Sequence, residues 1–259
     1  MRQLFGVLSF PRRREQCHSR AGGLALPSAK GGNLSCKADI FALAVLFSLA
    51  AAFAGKANGA TGTAAALFLA EENGARQLGM GQVVAGTGDD VNAAVANPAG
   101  LGYLANPEFS AMYRKWIWDT KFASAAYAHS LGKAGGLSAA FSFYDGGRAE
   151  ITGLSTGLTR EINAEKDWLA SLGYGKNLGE EIFVGINLKY FNSTLGEQYT
   201  AKAGAVNIGF LTKDANETRS FGAVLSNLGT KIQYRSVKDD LPLSFKVGFA
   251  STALDMKEH

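Results

Sequence analysis

Apolar and polar residues alternate along the second half of the chain, and this alternation is the main structural signal in the sequence. Residues 137–143, 182–190 and 243–249 place apolar side chains at every second position, with mainly Gly, Ser, Asn or Lys between them. A period of two predicts β-strands, because successive side chains of a strand point to opposite faces of its sheet. We therefore expect one apolar and one polar face, with Ile186 and Phe245 outward and Asn187 and Lys246 inward.

The same pattern predicts eight antiparallel strands. They cover residues 109–117, 122–131, 136–144, 168–177, 182–191, 202–212, 220–227 and 243–251. Short turns alternate with longer connections at residues 145–167, 192–201 and 228–242, and only residues 118–120 are short where a long connection is expected. This arrangement is typical of up-and-down β-barrels of bacterial outer membranes. In such a barrel an arginine at Ile186 should cost about 2–4 kcal/mol, and one at Asn187 little.

Alternation alone does not distinguish a membrane barrel from a water-soluble β-sandwich, which would show a similar pattern. An apolar run at residues 40–54 favours the membrane barrel. The run is preceded by Lys37 and followed by small residues, as in a secretory signal peptide. A buried core helix is the alternative. We predict that residues 1–36 are a non-native or disordered basic extension and that residues 37–59 are the signal peptide. We expect the protein to be exported to the bacterial outer membrane, where it would contact lipid.

Charge and cysteine positions narrow the functional classes. Residues 1–59 contain eight of the 26 Lys and Arg residues but two of the 22 Asp and Glu residues. The rest of the chain therefore has 18 basic and 20 acidic residues. The sequence pI of about 9.0 therefore comes from the leader and does not indicate nucleic-acid binding. Both cysteines, Cys17 and Cys36, also lie in the leader. Disulfides and thiolate metal sites are thereby excluded from the exported part.

Aromatic residues near the predicted strand ends indicate girdles at the two membrane interfaces, where Trp and Tyr rings bridge apolar and aqueous layers. The alternative is the general enrichment of aromatics in strands. The predicted interface residues are Trp116, Trp118, Tyr144, Trp168, Tyr174 and Tyr190.

The region between the signal peptide and the first strand has a different character. Residues 64–75 predict a short helix, and Gly- and Asp-containing turns follow it. Gly79-Met80-Gly81 is weak as a nucleotide fingerprint, because no βαβ unit surrounds it. Because so polar a segment cannot lie in lipid, we expect it to fold inside the barrel or across its periplasmic mouth, as a plug or as a passive strap. Its candidate plug and turn residues are Arg76, Gly79, Gly81, Asp89, Asp90, Asn97, Pro98, Ala99 and Gly100.

These motifs resemble a known family. Residues 74–81 (GARQLGMG), followed by Asp89-Asp90 and by residues 97–101 (NPAGL), are similar to the N-terminal signature of the PorV/PorQ family, outer-membrane barrels related in architecture to FadL fatty-acid channels. The resemblance covers about residues 63–250. It implies a monomeric barrel with an N-terminal plug and, in one branch, a role in type IX secretion with secreted cargo proteins as partners.

The chain departs from the family in strand number. The resemblance implies about fourteen strands, whereas the pattern yields eight, so we expect the sequence to be truncated at its C-terminus. The predicted organisation is a plug segment at residues 60–107 and an incomplete barrel at residues 108–259.

No motif of an enzyme is recognisable, so we predict no catalytic residue, no metal and no cofactor. The three histidines lie at positions 18, 129 and 259, too far apart in the sequence pattern to suggest a shared metal. We expect an accessory role in protein secretion. The alternatives are a FadL-like channel for a hydrophobic small molecule and a structural outer-membrane protein.

Overall fold

In the computed structural model of the protein, residues 65–152, 159–179, 181–214 and 218–251 are described. The predicted basic extension and the predicted signal peptide lie outside these ranges.

Short helices occupy the segment before the first strand. 3₁₀-helices span Leu67–Ala70 and Pro98–Gly102, and α-helices α1 and α2 span Ala75–Gly79 and Val91–Ala96. The helix predicted over residues 64–75 is wrong, since residues 71–74 are not helical. Tertiary hydrogen bonds explain the difference, because Ser124 Oγ donates to the backbone carbonyl of Asn73 and Ser142 Oγ to its side-chain oxygen, each at 2.9 Å. None of the described helices is long and apolar enough to cross a bilayer.

Strands make up most of the remaining described chain. They are β1 (Glu108–Lys115), β2 (Lys121–Ser130), β3 (Gly136–Asp145), β4 (Arg148–Thr152), β5 (Thr159–Asn163), β6 (Glu165–Asn177), β7 (Ile182–Leu195), β8 (Tyr199–Lys213), β9 (Arg219–Gly229), β10 (Ile232–Gln233), β11 (Lys238–Asp239) and β12 (Ser244–Ser251). Two further 3₁₀ turns, Ile117–Asp119 and Gly132–Ala134, lie between the first strands.

Eight of these strands form one antiparallel sheet in the order β1-β2-β3-β6-β7-β8-β9-β12, so the predicted all-β, up-and-down arrangement is confirmed. β4 pairs with β5, and β10 with β11, in two small hairpins. Within the described ranges, β1 and β12 are the edges of the sheet and do not pair with each other. We call the end with the β1–β2, β3–β6, β7–β8 and β9–β12 connections the upper end, and the opposite end the lower end.

One predicted loop is wrong. Residues 192–201 were expected to form a long connection, but β7 and β8 continue through them and leave only a tight turn at residues 196–198. Paired residues include Thr194 with Thr200. The predicted strands end where the apolar alternation ends, whereas the hydrogen-bond ladder continues with polar side chains. The polar residues Asn192 and Thr194 keep the outward parity of Leu188.

The two faces of the sheet differ in the exposure and in the size of their side chains. Large apolar side chains project from the outer face, where Phe109, Leu172 and Phe249 are 69%, 65% and 62% exposed. The inner face carries some large apolar side chains, such as Phe122 and Phe191, and many small and polar side chains that are buried. The buried polar side chains include Ser124, Ser138, Ser142, Ser171, Asn187, Ser193 and Asn207.

The core lies between the inner face and residues 65–104, which we call the inner segment. Phe68 and Leu69 pack with Phe122 and Phe191 in one cluster. Further along, residues 91–104 pack against alanines of β2 and β3 in a second cluster. The inner segment therefore supplies much of the buried apolar surface and is an integral part of the fold.

Candidate functional site: the inner segment and its seat

The inner segment runs along the whole inner face, from the upper end to the lower end. At the upper end, the Ala65 amide donates to the Asp240 carbonyl at 3.2 Å. The Phe68 ring lies 5.7 Å from Phe122 and 6.0 Å from Phe191, both near the upper ends of their strands. At the lower end, the 3₁₀-helix Pro98–Gly102 lies on β6 and β7. The segment thus lies against the inner face at both ends of the sheet.

Four glycines in register form the seat of this 3₁₀-helix. Gly136 of β3 pairs with Gly175 of β6, Gly175 with Gly185 of β7, and Gly185 with Gly209 of β8. We call these residues the glycine row. A Cβ atom on Gly185 would collide with the carbonyl group of Pro98, and one on Gly209 would lie 2.8 Å from Pro98 Cδ. Only glycine lets the backbone of the inner segment approach so closely.

A second close approach of two backbones, at Gly86 and Gly248, fixes the middle of the inner segment. A Cβ atom on Gly248 of β12 would lie 2.7 Å from the Gly86 nitrogen, and one on Gly86 would lie 2.8 Å from the carbonyl carbon of Gly248. Ser220 Oγ on the neighbouring strand donates to the Gly86 carbonyl at 2.6 Å. The inner segment is therefore fixed to β12 and to the strand beside it.

Asn97 joins the inner segment to the sheet by hydrogen bonds. Its side chain is fully buried, and its Nδ2 donates to the carbonyls of Ala85 at 2.6 Å and Phe210 at 3.1 Å. Its Oδ1 accepts from the Ala99 amide at 3.2 Å, which caps the 3₁₀-helix that Pro98 begins. Gly100 packs against Gly88, where a Cβ atom would lie 2.8 Å from Gly88 Cα. Residues 97–100, the Asn-Pro-Ala-Gly motif, thus fix the inner segment to the sheet, and we call them the clamp.

Arg76, Asp89 and Asp90 form a charged cluster at the start of α1 and α2. Arg76 donates to both oxygens of Asp89 and to Asp90 Oδ2, each at 2.8 Å. Asp90 also caps α2 by accepting from the Ala93 amide at 2.8 Å. Burial raises the pKa of Asp89, but hydrogen bonds and charge from Arg76 outweigh it, so this pKa lies below its ordinary value. The pKa of Arg76 is raised.

Two of the predicted turn residues play no part in these contacts. Gly79 and Gly81 are exposed, and a Cβ atom on either would meet nothing within 4 Å. Gly81 has φ of +68°, so it serves the local turn after α1. The structure thus brings seven of the nine predicted plug and turn residues together and leaves these two at the surface.

Charged side chains meet in a small cavity between the inner segment and the sheet. The cavity measures about 40 Å³, which fits only a few molecules of the size of water. Lys246 Nζ lies 3.0 Å from Glu72 Oε1, and Lys189 Nζ donates to Asn227 Oδ1 at 3.1 Å. Within the described ranges, no three His, Cys, Asp or Glu side chains are placed to hold a metal ion. The polar contacts of the cavity thus include an ion pair, Lys246 with Glu72, and a hydrogen bond from Lys189 to Asn227.

Sequence reasoning missed the glycine row and the lysine in this cavity. The available signal was the position of Gly175, Gly185, Gly209 and Lys189 on the inner parity of their strands, since glycine inside a strand often marks close backbone approach. One expectation about the inner face also fails. Asn187 is fully buried and donates to the Val95 carbonyl at 3.2 Å, so an arginine there would not be tolerated.

The predicted interface aromatics divide between the two faces. Trp168 faces outward and packs against Phe141 and Tyr190, with ring centroids 6.2 and 5.4 Å away. Tyr174 also faces outward and donates to the Ala134 carbonyl at 2.6 Å near the lower end. Tyr144 is the exception, because it faces inward against Phe68 at 5.8 Å.

The two other tryptophans lie in the β1–β2 turn at the upper end. Trp116 and Trp118 are 61% and 84% exposed, and Ile117 between them is 64% exposed. Trp118 and Asp119 both adopt positive φ, which is unusual for residues other than glycine. The turn therefore presents two indole rings to the surroundings.

No protein-family model matches the chain, and no curated protein matches it. The class that the fold and the site define is an antiparallel β-sheet protein with an apolar outer face and an inner face filled by its own N-terminal segment.

Proposed function

We propose that the protein is a bacterial outer-membrane β-barrel protein whose outer face contacts lipid. The observation that carries this proposal is the polarity of the sheet. Leu172 at the centre of the outer face is 65% exposed, whereas Asn187 and Ser193 on the inner face are 0% exposed. In water, an apolar patch larger than a few hundred Å² marks an interaction surface. A bilayer covers such a face completely, and the alternation of apolar and polar positions is the one that barrel strands require.

Closure of the sheet belongs to this proposal. In lipid, the free edges of β1 and β12 would leave backbone N–H and C=O groups without partners, at a cost of several kcal/mol for each. Both edges must therefore be paired in the membrane.

Among the possible roles, the interior favours an accessory function in protein secretion, of the PorV/PorQ type. The inner segment fills the inner face, and the motifs that resemble that family fold together as its clamp and charged cluster. A fatty-acid channel needs an apolar passage along the inner face, whereas the cavity between the inner segment and the sheet is about 40 Å³ and is lined in part by Glu72, Lys189 and Lys246. Secreted cargo proteins or other secretion components are the partners that this role requires.

Removal of the gene from a bacterium that produces the protein separates the three roles. Retention in the periplasm of proteins that carry C-terminal sorting domains would support the secretion role. Loss of fatty-acid uptake with normal secretion would favour the channel instead. If both processes are normal and only the envelope is weakened, the role is structural.

Complementation tests the lipid-facing surface in the same strain. The parent gene and Thr200→Arg, a substitution at an exposed outward position of the upper end, should restore the phenotype. Leu172→Arg should not restore it, because the charge would lie in the centre of the apolar face. Full restoration by Leu172→Arg would argue against lipid contact at this position.

A further inference from the structure

Three lysines follow one another across neighbouring strands at the upper end of the outer face. Lys115 of β1 pairs with Lys121 of β2, which pairs with Asp145 of β3, and Asp145 pairs with Lys166 of β6. We call Lys115, Lys121 and Lys166 the lysine row. All three are exposed, and each has the outward parity of the apolar residues on its strand. The register therefore places their side chains on the outer face.

The lysine row lies among the aromatic side chains of the upper end, above Phe143 and Trp168 and next to Trp116 and Trp118. Phe143 pairs with Trp168, and each lies two residues closer to the lower end than Asp145 and Lys166 respectively. Trp116 and Trp118 lie in the turn that joins Lys115 to Lys121. A step of two residues along a strand is about 7 Å, which a lysine side chain can span. On β3 and β6 the order from the apolar face outward is thus aromatic ring, then ammonium group, and on β1 and β2 the two tryptophans of the turn follow the lysines.

Of the three lysines in the row, Lys115 forms an ion pair with a nearby carboxylate. Lys115 Nζ lies 2.9 Å from Asp119 Oδ1. Asp145 stands between the other two lysines, and its Oδ1 accepts from the Gly147 amide at 3.0 Å. Within the described ranges, no carboxylate forms an ion pair with Lys121 or Lys166. These two ammonium groups, two strands or about 10 Å apart, are available to an anion outside the protein.

We propose that the lysine row binds the phosphate groups of anionic lipids in the leaflet at the upper end. The inference rests on the proposed membrane location, which places lipid headgroups just beyond the aromatic girdle. Lysines near an interface extend their ammonium groups towards the headgroups while their methylene stems stay on apolar surface. Each lysine close to an anionic bilayer surface strengthens binding by up to about fivefold.

The tryptophans allow a direct test. The chain has three, and Trp116, Trp118 and Trp168 all lie at the upper end, so tryptophan fluorescence reports on this rim alone. The full chain is reconstituted in vesicles of phosphatidylcholine with phosphatidylglycerol, and in each sample one of the two lipids carries brominated acyl chains that quench tryptophan. We expect the anionic brominated lipid to quench several-fold more effectively than the zwitterionic one, with a preference that declines as salt is added.

Matched variants assign the preference to the lysine row. Lys121→Gln with Lys166→Gln should remove most of this several-fold preference, since each lysine strengthens binding by up to about fivefold. Lys133→Gln with Lys176→Gln, at the lower end, should leave it unchanged. All four side chains are exposed, and equal quenching by the zwitterionic lipid in parent and variants verifies that folding is intact.

The other outcomes separate this inference from the proposed function. If both brominated lipids quench equally in the parent, the rim contacts lipid but the lysine row does not select anionic headgroups. The same conclusion follows if the preference persists in Lys121→Gln with Lys166→Gln. If neither lipid quenches, the tryptophans are outside the bilayer, and the membrane location itself is wrong.

Discussion

The outer and inner faces of the sheet come from one alternating pattern but are held by different physical means. The outer face carries large side chains such as Leu172 and Leu188, whose Cα atoms are register partners and which are 65% and 54% exposed. On the inner face, at Gly185 and Gly209, the side chain is missing and the backbone of the inner segment takes its place. Large side chains project freely from much of the outer face, whereas the inner face depends on a close fit to the inner segment. Substitutions should therefore follow different rules on the two faces.

The largest effect is expected from a charge on the outer face. Leu172→Arg should lower the free energy of unfolding in lipid vesicles by about 2–4 kcal/mol, because the guanidinium would lie near the bilayer midplane. The control, Thr200→Arg, places the same group at the rim, where the cost is about 0–1 kcal/mol. Denaturant titrations of both variants measure the difference. Equal losses would mean that the outer face does not sense depth in a bilayer.

On the inner face, the smallest possible side chain should already be harmful. Gly185→Ala should destabilise the protein by about 1–3 kcal/mol, because its Cβ would collide with Pro98 and the packed site cannot expand freely. Gly204→Ala on β8 is the control, since a Cβ atom there would meet nothing within 4 Å. Its stability should stay the same or rise slightly. Comparable losses at the two glycines would contradict the seat described for the inner segment.

Removal of the clamp should have an intermediate effect. Asn97→Ala would leave the carbonyls of Ala85 and Phe210 without this donor, at a cost of about 1–3 kcal/mol. Asn92→Ala removes a side-chain hydrogen bond of 2.9 Å to Ser110 at a less buried site on α2, where alanine favours the helix. Hydrogen exchange of residues 84–101 should therefore accelerate in the first variant alone. Unchanged exchange in Asn97→Ala would show that the glycine row suffices.

The smallest effect is expected at the charged cluster. The pKa of Asp89 is lowered in the folded protein, so its stabilisation is complete above the unfolded-state pKa of about 4 and is lost as the pH falls through the folded-state value. Because both side chains are partly exposed, Asp89→Asn should cost less than about 1 kcal/mol at pH 7. The difference from the parent should vanish in strong acid. A difference that is constant from pH 7 to strong acid would exclude an ionic contribution.

The sequence predicted the outer face well because period-two alternation is a local signal. Strand positions, the up-and-down order and the outward direction of Ile186 follow from it, and Ile186 is indeed 42% exposed. It failed where the fold depends on residues far apart in sequence. Tyr144 was assigned to the interface, but Phe68, 76 positions earlier, draws it inward. The turn at residues 196–198 was missed because ladder hydrogen bonds continue after the apolar side chains end.

The candidate site was predicted in part for the same reason. Arg76, Asp89, Asp90 and Asn97 are conspicuous as a motif, and the structure gives each of them a contact. Their contacts within residues 76–99 are local enough to be suspected from sequence. The glycine row is spread over β3 to β8, so nothing in the order of residues shows that its members lie side by side. Only the register of four strands reveals it.

The contacts of the inner segment also constrain the order in which the chain can fold. Residues made early in synthesis are held by residues made much later: Glu72 by Lys246, 174 positions away, and Asn97 by Phe210, 113 positions away. Contacts of such separation carry a large loop-closure entropy and slow the folding of a chain. The inner segment cannot complete its contacts until β12 has been synthesised. Folding of this protein is therefore expected to be slow, with the inner segment among the last parts of the described chain to reach its final contacts.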